Sequence, residues 1–196
     1  MNDVKAMKEL FARLFVIALQ NKANLLSFTT LLARSELVKK IERDEYDDYF
    51  NKPLVDIFFD ITGNRIKEDH SYGIYNDAYW CGYSYFELHL RTKIPFSYIF
   101  LKLPLTTMVD IYPVYHEMDF SSLLDYFSRL SEEKTILRLL CEQKGSSLTK
   151  VSKATGINVN TLAKYNADDA ALYKASFQNV MKIASFFDAP VSLFIE

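Results

Sequence analysis

The residues best suited to recognise another molecule lie in TGINVNTLAKY, residues 155–165. Its first four residues have the composition of a tight turn, and Asn158 is a preferred residue for capping the helix that follows. Asparagine pairs with adenine, lysine with guanine or phosphate, and valine packs on the thymine methyl group. With Leu162 facing inward, the stretch predicts a helix that enters the major groove of DNA. The candidate contact residues here are Asn158, Val159, Asn160, Thr161 and Lys164.

A second helix must precede the turn in order to position these side chains. LTKVSKAT, residues 148–155, predicts this helix, with Ser147 as its cap and Leu148, Val151 and Ala154 facing inward. Gly156 suits the turn because a glycine adopts positive φ without a Cβ clash. A further helix over about residues 132–144 comes before it, and we expect Ser131 to cap it and Gly145 to end it. Two more candidate DNA contacts on the second helix are Thr149 and Lys150.

The C-terminal third of the chain resembles the Xre/Cro family of phage-repressor-like helix-turn-helix domains. The resemblance is carried by SLTKVSKATGINVNTLAKY and by the later segment SFQNVMKIASFFDAPVSLFI. The resemblance covers about the last 50–65 residues and implies binding of double-stranded operator DNA. The sequence departs from the family pattern at Leu148, at Thr155 before the turn glycine, and in the insertion NADDAALYKA, residues 166–175, where Asp168 and Asp169 would repel phosphate. The apolar positions of the closing segment are taken by Val180, Ile183, Ala184, Phe187 and Phe194.

Charge is distributed unevenly between the two parts of the chain. Residues 1–130 hold 15 Lys and Arg against 18 Asp and Glu, whereas residues 131–196 hold 8 against 7. A net charge of +1 neutralises little phosphate, and phosphate neutralisation supplies much of the affinity of DNA-binding proteins. We therefore expect the chain to act on its operator as a homo-oligomer, at least a dimer.

The N-terminal part is rich in aromatic residues that suit a protein interface. NDAYWCGYSYFELHL, residues 76–90, is apolar on most of its helical circumference, which predicts burial on several sides. Tyrosine and tryptophan are common interface anchors, so Tyr79, Trp80 and Tyr83 are candidates for binding a protein partner. This part resembles small bacterial helical proteins encoded beside ADP-ribosyltransferase-like toxins. That resemblance implies an antitoxin or accessory role, with such a toxin as the partner.

The whole sequence predicts an all-α protein of two domains, residues 1–130 and 131–196. Ser27 and Ser35 are expected helix caps, and Pro53 and Gly63 are expected to begin and end another helix. Two distant cysteines give no metal or disulfide pattern, so we expect a cytoplasmic protein without a cofactor or a metal. The longest apolar run is too short to span a membrane. Breaks between short helices are expected at Pro95, Pro104 and Pro113.

Two other functions remain open at this stage. Arg65 and His70 have the Arg-x4-His spacing of HEPN-type ribonucleases, in which such a pair acts on the RNA phosphate and the 2′-hydroxyl. The pair lies in a predicted polar loop rather than inside a long helix, so we expect no enzyme. The other alternative is a protein-interaction module whose helix-turn-helix no longer binds DNA.

Overall fold

The structure is a computed structural model that describes residues 2–21, 25–66 and 76–194. These residues form helices joined by short turns, and the predicted all-α fold is confirmed. The chain divides into two compact units, Met1–Leu124 and Asp125–Glu196. This division lies within one helix, Phe120–Glu133, which also contains the boundary predicted near Leu130–Ser131. The fold does not test the roles that the sequence predicts for the two domains, and these roles remain predictions.

The first unit is built from helices of seven to nineteen residues and a short 3-10 helix at Asp47–Tyr49. The last of its helices continues past the division. In chain order they are α1 (Asn2–Gln20), α2 (Leu25–Arg34), α3 (Glu36–Glu42), α4 (Leu54–Thr62), α5 (Asn76–Thr92), α6 (Phe96–Lys102), α7 (Leu105–Tyr115) and α8 (Phe120–Glu133).

Most of the predicted helix limits in this unit are confirmed. The Ser35 side chain accepts a hydrogen bond from the Val38 amide and caps α3. Pro53 lies at the N-terminal cap of α4, which Gly63 ends with a φ of 72°. Pro95 and Pro104 precede α6 and α7 in the same way.

Two of the predicted limits are wrong. Ser27 lies within α2 and does not begin it, because the helix already starts at Leu25. Pro113 lies inside α7 and does not end it. Proline removes one intrahelical hydrogen bond, here to the carbonyl of Val109. The loss falls in the last turn of α7, where Pro113 is exposed, so the helix continues to Tyr115.

Helices α1 and α5 form the most extensive helix pair in the described part of the first unit. Gly82 on α5 faces the backbone of α1, and a Cβ atom at that position would lie 2.7 Å from the Cα of Ala12 and 2.7 Å from the Phe15 ring. Real Cβ atoms do not approach backbone atoms this closely. The absence of a side chain at Gly82 is therefore what allows the two helices to pack at this distance.

Aromatic rings fill the interior of this unit around α5. The Tyr85 ring packs edge-on against Phe100, with ring centroids 4.9 Å apart, and its hydroxyl donates a hydrogen bond to the Leu103 carbonyl at 2.8 Å. Phe15 packs edge-on against Phe28 at 5.3 Å. This edge-to-face geometry is one of the arrangements that aromatic pairs prefer. The aromatic content of the N-terminal part thus supplies a core.

The apolar circumference of α5 is covered by its own unit. Helices α1, α6 and α7 all pack against it. The sequence predicts burial of this helix on several sides, since no single packed neighbour could cover its apolar circumference. Three neighbours bury most of the helix, including Tyr85 and Phe86. The burial of α5 within its own unit therefore does not test whether its partly exposed aromatic residues bind a partner.

A charged side chain, Glu87 of α5, is nevertheless buried and pairs with a lysine of α1. Glu87 is 8% exposed, and its carboxylate forms ion pairs with Lys8 and with Arg91, the latter at 2.6 Å. Lys8 also donates a hydrogen bond to the Tyr83 hydroxyl at 3.3 Å. Burial alone would raise the pKa of Glu87, but the hydrogen bonds from Lys8 and Arg91 outweigh it and lower the pKa. The ionised carboxylate is thus the form that the folded state stabilises.

We expect Glu87→Gln to lower the free energy of unfolding by about 1–3 kcal/mol at neutral pH, because the amide leaves Lys8 without its charged partner. Because the pKa of Glu87 is lower in the folded state than in the unfolded state, its carboxylate stabilises the fold at pH values above the unfolded-state pKa. This stabilisation is lost as the pH falls through the folded pKa. Denaturant unfolding of both proteins at neutral and acidic pH should show the difference disappear at low pH. Glu45→Gln, at an exposed position, is the control, and equal stabilities at neutral pH would contradict the assignment.

After α8, the described part of the second unit contains five helices and a short 3-10 helix, Val191–Phe194. Ser131 lies within α8 and does not cap the first of them, so that prediction is wrong. Thr135 holds the cap position instead, and the helix starts at Ile136 rather than near residue 132. Gly145 ends it at a φ of 58°, as predicted. These helices are α9 (Ile136–Lys144), α10 (Leu148–Thr155), α11 (Val159–Ala167), α12 (Asp169–Tyr173) and α13 (Phe177–Phe187).

Candidate nucleic-acid interface

The turn between α10 and α11 is fixed by local hydrogen bonds. Gly156 ends α10 at a φ of 70°, and its amide donates to the Ser152 carbonyl at 2.8 Å. The Ser152 hydroxyl donates to the Ile157 carbonyl at 2.7 Å, across the turn. Ile157 is 5% exposed and anchors the turn in the core of the unit. The glycine that the sequence placed at this turn therefore has the positive φ that was predicted for it.

Thr155 departs from the family pattern without disrupting the turn. It is 8% exposed, its hydroxyl donates to the Val151 carbonyl at 2.7 Å, and it also accepts a hydrogen bond from the Ile157 amide. A buried hydroxyl costs little when it is hydrogen-bonded in this way. Ala154, which we expected to face inward, is exposed. Thr155 occupies the inward position in its place.

Helix α11 presents its inner and outer faces as the sequence predicts. Leu162 is fully buried and Tyr165 is 8% exposed. Val159 is 42% exposed, and Asn160 and Lys164 are exposed as well. The outer face therefore combines an amide, an ammonium group and an apolar side chain, which are the groups that distinguish base pairs in the major groove.

Two candidates on this helix have a more restricted position. Asn158 caps α11, and its side-chain oxygen accepts the Asn160 amide hydrogen at 2.8 Å. A bidentate pair with adenine needs that oxygen, so Asn158 would have to give up the cap in order to read a base. Thr161 is only half-exposed. Asn160 is thus better placed than either residue for direct base contact.

The first turn of α10 adds groups that suit a phosphate. Ser147 caps the helix by accepting the Lys150 amide hydrogen at 3.3 Å, and the side chains of Thr149 and Lys150 are exposed. Amide groups in the first turn of a helix have no carbonyl partner within the helix and attract anions. Lys153 was not among the predicted contact residues, and it is exposed on the same helix.

The local charge of this region differs from that of the unit as a whole. Residues 147–165 contain three lysines and no aspartate or glutamate. The net charge of +1 over residues 131–196 is therefore an average, and residues 147–165 are more basic than the rest of this segment. The absence of acidic residues over this stretch is the sequence signal that identifies Lys153 as a further candidate for phosphate contact.

The insertion after α11 forms structure of its own. Asp168 caps α12 by accepting the Ala170 amide hydrogen at 2.9 Å. Asp169 accepts the Ile136 amide hydrogen at 2.7 Å, and the Thr135 hydroxyl donates to the Asn166 carbonyl at 2.9 Å. Both carboxylates that we expected to repel phosphate thus hold helix termini within the unit.

The three aromatic candidates for partner binding are half-buried and have contacts within the first unit. The Tyr79 hydroxyl donates to Glu9, and Trp80 packs edge-on against Tyr112 with ring centroids 5.6 Å apart. Lys8 lies over the Tyr83 ring, 4.4 Å from its centroid. Each side chain keeps part of its surface exposed, so the prediction that Tyr79, Trp80 and Tyr83 bind a partner remains a prediction.

The residues of the ribonuclease alternative are not both described. Arg65 lies two residues after Gly63, which ends α4, and its guanidinium carbon is 5.2 Å from the centroid of the Phe59 ring. His70 lies outside the described residues. Within the described ranges, no group of histidine, cysteine, aspartate and glutamate side chains is arranged to hold a metal ion. The helices in these ranges include none with the length and hydrophobicity of a membrane span.

Comparison with known families finds a match to the second unit. Residues 137–192 match the family model described as a Cro/C1-type helix-turn-helix DNA-binding domain. The resemblance of the C-terminal third to the Xre/Cro family is thereby confirmed, and the binding of double-stranded DNA is supported. Searches of the curated proteins and of the solved structures found no match to the chain.

Proposed function

We propose that the chain is a transcriptional regulator that binds operator DNA through α11 and represses its own operon. The observation that carries the proposal is the outer face of α11, where Val159, Asn160 and Lys164 are exposed. In this proposal Asn160 reads an adenine and Lys164 contacts a guanine or a phosphate. Thr149 and Lys150 hold the backbone, which sets the register of the domain on the duplex.

We further propose that the chain is an antitoxin whose first unit binds an ADP-ribosyltransferase-like toxin. Support comes from the resemblance of the N-terminal part to accessory proteins of such toxins. The partly exposed aromatic residues Tyr79, Trp80 and Tyr83 suit the contact, because aromatic side chains supply large contact areas at interfaces. The proposal assigns no catalytic step to the chain.

Operator binding is tested with a reporter gene placed under the control of the promoter region of the chain's own gene. We expect expression of the chain to repress the reporter, and the variant Lys150→Ala to repress it less because one phosphate contact is lost. In a second arm, the neighbouring reading frame is expressed with and without the chain, and we expect the chain to restore growth. Unchanged reporter activity would contradict operator binding, whereas unrelieved growth arrest would contradict only the antitoxin role.

A further inference from the structure

Three partly exposed rings form a continuous column between α5 and α7. Trp80 of α5 packs edge-on against Tyr112 of α7, and the rings of Tyr112 and His116 stack with their centroids 4.4 Å apart. Nδ1 of His116 donates a hydrogen bond to the Tyr112 carbonyl at 2.6 Å, which holds the imidazole at the end of α7. The column is thus an aromatic surface that is fixed in place and still partly exposed.

Two exposed apolar side chains lie in the same part of the chain. Val114 is 60% exposed and Met118 is 48% exposed, the highest values for large apolar residues in the described part of the first unit. Val114 lies in the last turn of α7, and Met118 lies in the turn that follows. Apolar side chains that are exposed together mark interaction sites. We call these two residues and the three rings the α7-end surface: Trp80, Tyr112, Val114, His116 and Met118.

The charge around the α7-end surface is negative. The stretches that contain it, residues 76–90 and 103–128, hold two and four carboxylates respectively and no lysine or arginine. The Glu117 carboxylate lies 3.8 Å from Nε2 of His116, beside the column, and Asp110 is exposed on α7. Carboxylates repel phosphate and attract cations, so the surface suits a basic protein segment rather than a nucleic acid.

Two basic residues of α1 and α5 are bound to one carboxylate. Lys8 and Arg91 both pair with Glu87, and Lys8 also lies over the Tyr83 ring. The exposed part of Tyr83 therefore adjoins an ammonium group, which would repel a basic partner. Trp80 contacts α7 instead, where the exposed charges are negative. Among the aromatic candidates on α5, Trp80 is thus the one that suits a basic partner.

We propose that the α7-end surface is the docking site for the protein partner of the first unit, and that this partner presents a basic segment in which arginine side chains alternate with apolar ones. The inference rests on the proposed function, and it adds the place of the contact and the chemistry of the partner. A guanidinium group is planar, so it stacks on an aromatic face and pairs with a carboxylate at the same time. The column supplies the ring faces and Glu117 supplies the carboxylate, while Val114 and Met118 receive the apolar side chains.

The experiment uses the full-length chain and a short amphipathic peptide of leucine and arginine as the probe. Trp80 is the only tryptophan and belongs to the α7-end surface, so its fluorescence reports binding. We expect the arginine peptide to bind at least about tenfold more tightly than a matched peptide in which glutamate replaces arginine. Its affinity should fall as the salt concentration rises. Equal affinities of the two peptides would overturn the proposal.

Charge reversal tests where the peptide binds. Asp110→Lys combined with Glu117→Lys should weaken binding of the arginine peptide by at least about tenfold. Glu45→Lys combined with Asp56→Lys is the control, because it makes the same change of charge at exposed positions elsewhere in the first unit. An equal loss in the two double variants would show that only the net charge matters and would overturn the docking site. Circular dichroism of each variant establishes that it is folded.

A second pair of variants tests the apolar part of the surface. Val114→Ser combined with Met118→Ser should weaken binding of the arginine peptide by at least about fivefold, because the contact then buries less apolar area. Leu31→Ser combined with Phe59→Ser is the control, since these two residues are also exposed, at 40% and 38%. Unchanged binding by the first pair would overturn the assignment of Val114 and Met118 to the site.

The product of the neighbouring reading frame separates this inference from the proposed function. If that product does not bind the parent chain, the antitoxin role is contradicted, and the peptide titrations still decide the α7-end surface. If it binds the parent and the Asp110→Lys, Glu117→Lys variant equally well, the proposed partner stands and the docking site is wrong. Light scattering of the parent chain alone is the last check. Self-association that the charge reversal abolishes would assign the surface to a second copy and overturn the proposal.

Discussion

Asn160→Ala combined with Lys164→Ala is expected to lower the affinity of the chain for its promoter duplex by at least about thirtyfold. Each good contact to a base edge is worth about 1–3 kcal/mol, and the double variant removes two of them. Both side chains are exposed on α11, whereas Leu162 and Tyr165 hold the helix in the core. The melting temperature should therefore stay close to that of the parent chain.

Gel-shift titration with the DNA upstream of the chain's gene measures the affinity, and circular dichroism measures the melting temperature. The control is Asn51→Ala with Lys5→Ala, which removes the same two residue types from exposed positions in the first unit. Asn158→Asp adds a second comparison of affinity and melting temperature. Aspartate caps a helix as asparagine does, so α11 should stay intact, whereas its negative charge repels phosphate and should weaken binding. If the double variant shifts the duplex as well as the parent does, α11 is not the reading helix.

Gly82→Val is expected to destabilise the first unit more than any surface change. Its Cβ atom would lie 2.7 Å from the Cα of Ala12, so α1 must move away from α5. Overpacking of a core typically costs 1–3 kcal/mol, and a clash with backbone belongs at the upper end, at about 3 kcal/mol. For a domain of this size, that corresponds to a fall of roughly 10 °C in the melting temperature.

The single tryptophan makes this effect measurable in the full-length chain. Trp80 is the only tryptophan and lies on α5, so its fluorescence reports on the first unit alone. Gly82→Ala should give a smaller loss than Gly82→Val. Asn76→Val, which adds a β-branched residue at an exposed position of α5, is the control. A melting curve of Gly82→Val that overlays the parent's would show that α1 and α5 do not pack through this glycine.

Features that depend on neighbouring residues were predictable from the sequence. The turn glycine, the capping by Asn158 and the inward position of Leu162 each follow from residue type and helical spacing within a few residues. The outer face of α11 follows from them directly. The exposure of the predicted contact residues could therefore largely be predicted from the sequence, although their contacts with DNA remain predictions.

Features that depend on distant residues, or on side-chain hydrogen bonds that residue polarity does not reveal, were not predictable. The start of α9 was misplaced because the Ile136 amide is held by Asp169, which lies 33 residues later in the chain. The inward position of Thr155 depends on a hydroxyl that bonds the carbonyl one turn earlier, which residue polarity alone does not reveal. The cover of α5 depends on which helices return to pack on it, and periodicity identifies a buried face without identifying its neighbours.

The hydrogen bonds that join the start of α9 to the segment after α11 have a practical consequence for recombinant expression of the DNA-binding unit. The family match begins at residue 137, whereas Thr135 and Ile136 donate to Asn166 and Asp169. A fragment cut at the family limit would lose both bonds, and its new N-terminus would begin inside a helix. A fragment that starts upstream of Thr135 should give a higher soluble yield and greater resistance to proteases.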